Sequence, residues 1–286
     1  MLHYPDINPV ALSIGPVHVG SHTWGPLQIH WYGIMYVIGF AVAWWLARRQ
    51  AARPGSTWKR EDVDDLIFWC MVGVIVGGRV GYVLIYVLGF QPELLREDWL
   101  YPLKIWKGGM SFHGGLIGVV VAMGLFAWRR GRRPLDVFDF IAPLPGIGIC
   151  AVRIGNFINS ELWGAPTQWK YGFLVSDPGT NRLIGRHASQ LYEAGLEGLV
   201  MFALLWWFAR RPRSRGMLAG LFLLWYGVAR FAIEFVREPD AQLGYLAADW
   251  LTMGQILSWP MILVGAALLW RAKLHPQPSG NYVAAA

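Results

Sequence analysis

The chain has 286 residues, of which 55% are apolar and only 15% charged, with 17 Trp, 14 Phe and 11 Tyr. A soluble domain carries about 25% charged residues, so this composition excludes an ordinary water-soluble enzyme and points to the membrane, where the aromatics suit the two water–lipid interfaces. The net charge is +7, but the arginines stand in short clusters between apolar runs, not on a face interleaved with stacking aromatics, which argues against nucleic acid as a partner.

Residues 1–16 carry no basic n-region and no continuous apolar h-region, so no cleavable signal peptide is expected. Crossing the hydrocarbon core takes roughly 20 apolar residues. Seven stretches qualify: 30–47, 65–88, 111–128, 136–154, 190–209, 217–235 and 254–270. The second reads LIFWCMVGVIVGGRVGYVLIYVL and is interrupted only by Arg79. The fourth, LDVFDFIAPLPGIGICAVRIG, holds two Asp and two Pro and is expected to be broken or packed inside the bundle. Cys70 and Cys150 lie inside apolar runs and read as small fillers, neither a disulfide framework nor a metal site.

Basic residues set the orientation. Arg48, Arg49, Arg53, Lys59 and Arg60 follow the first span; Arg129, Arg130, Arg132 and Arg133 the third; Arg210, Arg211, Arg213 and Arg215 the fifth; Arg271 and Lys273 the seventh. The segment before the first span has none. The chain therefore reads as an all-α polytopic bundle of seven transmembrane helices, N-terminus outside and C-terminus cytoplasmic. It forms a single integral membrane domain over 1–286. The outer connections are medium loops at 89–110 and 236–253, and a small extramembrane cap at 155–189 between spans four and five. No internal repeat is visible.

Arg79, Arg153 and Arg230 fall within or at the ends of spans. A charge near the bilayer centre costs about 2.5–3.5 kcal/mol even on lenient scales, so such residues pair or line a polar cavity. Glu234 lies four residues after Arg230 on the same helix face, and Arg237 follows. Snorkelling to the outer interface is an alternative for Arg153 and Arg237 taken singly. Jointly, arginines opening to the outer leaflet suit a phospholipid headgroup, because the guanidinium fork binds phosphate in a bidentate way. His113, in MSFHGGLIG, is either a proton acceptor or an interfacial histidine on a small-residue packing face. His187 is a second candidate of the same kind, better suited to capping or packing. Tyr32 reads first as an aromatic-belt anchor. Asn156, Asn159 and Glu161 fit a polar cap over a headgroup or a turn that ends span four. Glu193 and Glu197, a turn apart in span five, need partners and are candidates to answer an arginine.

Six segments in order carry a resemblance: HWYGIMY at 30–36, GGRVGYV at 77–83, HGGLIG at 113–118, RIGNFINSELWG at 153–164, RHASQLYE at 186–193 and YGVARFAIEFVREPD at 226–240. Together they resemble the signature segments of the prolipoprotein diacylglyceryl transferase family. The resemblance implies a bacterial inner-membrane enzyme that moves the diacylglyceryl group of phosphatidylglycerol to the lipobox cysteine thiol of a prolipoprotein signal peptide. The product is a thioether, with glycerol phosphate released. By matching positions it implies a catalytic role for His113, Arg153, Arg230 and Tyr32. It implies phosphatidylglycerol binding by Arg153, Arg230, Asn156, Glu161, Gly164, Glu234 and Arg237. One departure is visible: the family's histidine is followed by Pro where this chain has Ala188.

In the implied mechanism the thiolate attacks the glyceryl carbon bonded to the phosphodiester oxygen, and cations stabilise the departing phosphate. His113 is the expected base, with Tyr32 as a helper. No cofactor or metal is expected, since there is no HExxH, Cys/His cluster or Asp-rich loop. The rival readings are a transporter or flippase of anionic phospholipid, and a structural protein whose charges only glue helices together.

Overall fold

The computed structural model describes residues 1–5, 7–20, 22–177, 182–239, 244–248 and 250–282. Residues 178–181 of the expected cap, and residues 240–243 and 249 of the expected loop 236–253, lie outside the described residues, as does Asp240 of the last signature-like segment. The principal helices are α1 (Trp31–Ala51), α2 (Arg60–Phe90), α3 (Phe112–Arg129), α4 (Pro134–Ile141), α5 (Pro145–Ile158), α6 (Ser189–Phe208), α7 (Met217–Val236) and α8 (Met253–Leu274). Their ends agree with the expected spans to within about a turn.

Five helices, α2, α3, α6, α7 and α8, are long and apolar enough to cross a membrane. The pair α4 and α5 qualifies as a sixth when taken together, bent at the break between Ile141 and Pro145. Pro143 and Pro145 cause that break: neither has an N–H to continue the ladder, and Pro145 opens α5 in the first turn, where none is needed. Helix α1 is long enough at 21 residues, but three Trp, two Tyr and a basic end keep its apolarity below that of the other five. The chain is thus a mostly helical, multi-pass membrane protein with five to six candidate spans among the described residues, where the sequence pointed to seven. Many apolar side chains on these helices are exposed, Val76, Leu84, Val121, Leu199 and Leu263 among them, a surface suited to lipid.

The helical bundle expected from the sequence is present and carries short strands besides. Among the described residues seven short strands form: β1 (Leu2–His3), β2 (Val10–Ile14), β3 (Val17–Val19), β4 (His22–Trp24), β5 (Leu27–His30), β6 (Phe173–Ser176) and β7 (Leu183–Arg186). They make one three-stranded sheet, ordered β1-β6-β7, and two ribbons, β2-β5 and β3-β4. Strands of two to five residues are too short to show a period in a single sequence.

The chain divides into two compact units, Met1–Leu46 with Ile141–Gln277, and Ala47–Phe140 with Pro278–Ala286. In the second unit, α2 and α3 run antiparallel with their backbones in contact. A Cβ on Gly73 would come 2.6 Å from Gly118 O, and one on Gly81 would come 2.7 Å from Gly114 Cα. Helix α3 starts at Ser111, whose hydroxyl accepts from the Gly114 amide at 3.2 Å. Arg79 is buried, and its guanidinium is occupied by backbone. It donates to Pro102 O at 2.9 Å, Tyr101 O at 2.6 Å, Gly108 O at 2.5 Å and Gly109 O at 3.0 Å. It therefore shapes residues 101–109, unlike the headgroup role the sequence suggested for it. At the other end, Trp58 stacks on Phe140 with centroids 4.0 Å apart, and Arg132 covers its ring at 4.2 Å. Asn281 of the C-terminal tail accepts from the Trp58 indole N–H at 2.8 Å.

In the first unit, α5, α6 and α7 pack around Met201, Leu205, Ala209 and Leu218, with Ile149, Phe222 and Tyr226 against them. Helices α7 and α8 approach through Gly220, Gly227 and Gly265. Helix α1 meets α5 where a Cβ on Gly39 would stand 3.1 Å from Gly148 Cα.

Candidate functional site

The polar centre of the first unit is built around one carboxylate. Glu193, in the first turn of α6, is fully buried. Its Oε2 lies 2.6 Å from Arg153 Nη2 and 3.7 Å from Arg230 Nη1, and its Oε1 accepts from Arg237 Nη1 at 2.7 Å. Glu234 adds a second bridge, 2.9 Å from Arg230 Nη2 and 3.5 Å from Arg237 Nε. The sequence folds this way for local reasons. Arg230 and Glu234 are one turn apart on α7, so they meet on one face. Arg153 sits in the next-to-last turn of α5, and Arg237 begins the extended stretch after α7.

Three guanidiniums and two carboxylates leave one positive charge in this cluster. The carboxylates are the deeper partners: Glu193 is 0% and Glu234 6% exposed, against 22%, 18% and 13% for the side chains of Arg153, Arg230 and Arg237. The cations thus form the more accessible layer, fixed from beneath. A mono-anion with oxygens that accept two donors from one fork matches both the charge and the geometry.

A polar rim follows α5. Arg153 Nη1 donates to Asn156 Oδ1 at 3.3 Å, and Asn156 Nδ2 donates to Glu161 Oε1 at 2.7 Å. Tyr32 packs on the backbone of Gly155, where a Cβ would meet the Tyr32 ring at 3.3 Å, and its hydroxyl lies 3.2 Å from that of Tyr36. Tyr4 closes the carboxyl end of α5, donating to Ile158 O at 2.8 Å and Phe157 O at 3.0 Å.

Gly164 works through backbone alone. Its amide donates to His187 O at 2.8 Å, the next amide donates to Val236 O at 2.9 Å, and it bridges to Arg237. A Cβ there would stand 3.0 Å from both the β-carbon and the oxygen of His187, and Val236 O lies closer still, so only glycine fits. Gly164 thereby clips the start of α6, which carries Glu193, to the strand that carries Arg237. His187 has its ring 3.3 Å from the Tyr192 hydroxyl, and burial lowers its proton affinity below the ordinary imidazole value. Ala188 has φ −80°, within proline's range, so a proline there needs no change in φ.

The structure brings Arg153, Arg230, Glu234, Arg237, Asn156, Glu161, Gly164 and Tyr32 together in the first unit. His113 belongs to the second unit. It is exposed at the start of α3 and lines one end of an open apolar groove of about 670 Å³ with Val80, Leu84, Gly114 and Ile117. Reasoning from sequence underrated Glu193, which holds the cluster together. The signal was a carboxylate inside an apolar run beside Glu197, but its partners lie in other helices.

Comparison with known proteins places the chain among a set of curated relatives. The sequence model of the family described as prolipoprotein diacylglyceryl transferase matches residues 19–271. A phosphatidylglycerol–prolipoprotein diacylglyceryl transferase of Pseudomonas fluorescens is 51% identical over 284 residues, 98% of this chain and 99% of that protein. One of Nitratidesulfovibrio vulgaris is 52% identical over 274 residues, 95% of this chain and 96% of that protein.

Proposed function

This chain belongs to the prolipoprotein diacylglyceryl transferase family, and on that premise we propose that the cluster around Glu193 is where it holds the phosphate of its lipid. The protein is a transferase that moves the diacylglyceryl group of phosphatidylglycerol to the cysteine thiol of prolipoproteins. The S–C bond forms as the glyceryl C–O bond breaks, and the phosphate leaves with the headgroup glycerol. The observation that carries the assignment of the site is the buried Glu193 beneath three more accessible guanidiniums.

Arg153 and Arg230 bind two phosphate oxygens and stabilise the charge that the leaving phosphate gains. Glu234 bridges Arg230 and Arg237 and fixes both beside the phosphate, and Asn156 and Glu161 orient Arg153 while offering partners to the glycerol hydroxyls. Gly164 sets the backbone that carries Arg237. Tyr32 lines the same rim and takes part in the proton transfer. His113 is assigned the thiol proton on its chemistry, as the residue whose ordinary titration lies near neutrality. The chain lies in the bacterial inner membrane as a single integral domain. It crosses seven times, α1 included, with its N-terminus outside and its basic loops in the cytoplasm. The site and the cap at 155–189 face the periplasm.

Two assays on the purified protein test the reading. One follows labelled diacylglyceryl from phosphatidylglycerol to a lipobox peptide; the other follows labelled lipid between leaflets of a vesicle. Transfer with stoichiometric glycerol phosphate release, and no leaflet exchange, is expected. Leaflet exchange without transfer would replace the enzyme reading with a transporter.

A further inference from the structure

We infer that Glu197 is a positioning residue that carries a proton whenever the lipid phosphate is held, so that the arginine cluster keeps one positive charge for it; the inference rests on the phosphate reading above. Glu197 lies one turn beyond Glu193, within the widened turn Ala194–Val200 of α6, and is fully buried. Among the described residues neither of its carboxyl oxygens meets a hydrogen-bond donor. The charged and titratable groups that face it are Glu193 on its own helix, Arg153 on α5, Tyr226 and Arg230 on α7, and Arg237 just past α7. Cys150 of α5 packs against the neighbouring Gly198.

Two arguments give Glu197 its state. A bare carboxylate with no donor to its oxygens is far costlier to bury than a neutral carboxylic acid. The second is the count of charges. Arg153, Arg230 and Arg237 against Glu193 and Glu234 leave one positive charge, and a phosphodiester carries one negative charge. An ionised Glu197 would cancel that same positive charge. Glu197⁻ and the lipid phosphate therefore compete for one cationic site, although Glu197 acts on the cluster only through its field, from the buried side, and never meets the substrate. Binding of the lipid is then linked to retention of one proton, and the sign follows. As pH rises and Glu197 ionises, the apparent affinity for phosphatidylglycerol falls, by up to tenfold per pH unit for a one-proton linkage. A glutamine at this position is always neutral and abolishes the competition.

The test measures KM for phosphatidylglycerol against pH in the full-length protein and in Glu197→Gln, with a lipobox peptide as acceptor. The wild-type KM is expected to climb on the alkaline side, while that of Glu197→Gln stays flat and the two kcat profiles run parallel. Equal KM slopes in the two proteins, or a flat KM in both, overturn the inference. A purely structural role would lower the folded fraction of Glu197→Gln without changing any slope. Should that variant fail to fold, the wild type decides by infrared difference spectroscopy. Lipid binding is expected to raise a protonated-carboxyl stretch that shifts in Glu197→Asp, and no such band overturns the inference. A wild type that binds lipid but transfers nothing refutes the enzyme reading alone, because the infrared measurement requires only binding.

Discussion

Glu193 shows how much one side chain can hold. Its two oxygens contact three guanidiniums from two other helices and the extended stretch after α7, and it has no exposed surface. Replacing it with glutamine keeps the shape and removes the charge, leaving three cations with Glu234 as their carboxylate. Breaking a buried ion pair from one side costs about 3–5 kcal/mol. Glu193→Gln is therefore expected to lower the unfolding midpoint in detergent and to abolish transfer, and wild-type stability in that variant would show that the arginines do not depend on it. Legibility in the sequence divides sharply at this scale. Arg153, Arg230, Glu234 and Arg237 were readable because charges in apolar runs are rare and expensive. Arg79 satisfied the same rule, yet its donors go to the carbonyls of 101–109, since a guanidinium in lipid accepts any array of acceptors. Glu193 was visible as a buried acid, but its three partners are tertiary facts.

Among the elements, the helices were legible almost to their ends because apolar runs of membrane length seldom arise outside a bilayer-spanning helix. The break between α4 and α5 was readable too, from Pro143 and Pro145. The widened turns over Val83–Val87 and Ala194–Val200 were not, since one extra residue per turn leaves no mark on composition. The short strands were missed for lack of length. The glycines of α2 and α3 bring the two helix backbones into contact. Their closeness makes a sharp prediction. A Cβ on Gly77 would press into Gly118, with its Cα 2.7 Å away, and overpacking of this kind costs typically about 1–3 kcal/mol. Gly77→Val should lower the thermal midpoint and move the start of α3, which carries His113. Activity per folded molecule is therefore expected to fall as well, and unchanged specific activity would separate His113 from the chemistry.

At the scale of the molecule, a membrane chain with this much exposed apolar surface solves a problem that a soluble enzyme does not face. A phospholipid substrate already lies in the solvent of the fold, so affinity for acyl chains needs little dedicated surface. What the protein must supply is a place for the headgroup charge within a low-dielectric bundle, and there a preorganised set of donors acts far more strongly than in water. In the proposed reading, the positive charge left over in the Glu193 cluster is that place. This also explains why the polar residues gather at the ends of α5 and α7 and the start of α6, where three helices finish or begin beside the Gly164–Arg237 bridge that clips them together.

The most direct test of this account is steady-state transfer by Arg153→Lys and Arg230→Lys, each shown to be folded by its unfolding midpoint. Lysine keeps the charge and the counter-ion but loses the two-pronged donor. Both variants are predicted to lose about a hundredfold or more in kcat/KM, with stability near that of wild type. Near-normal kcat/KM in both would contradict the account, because it would mean that any paired cation suffices and that the phosphate is not held by the guanidinium forks.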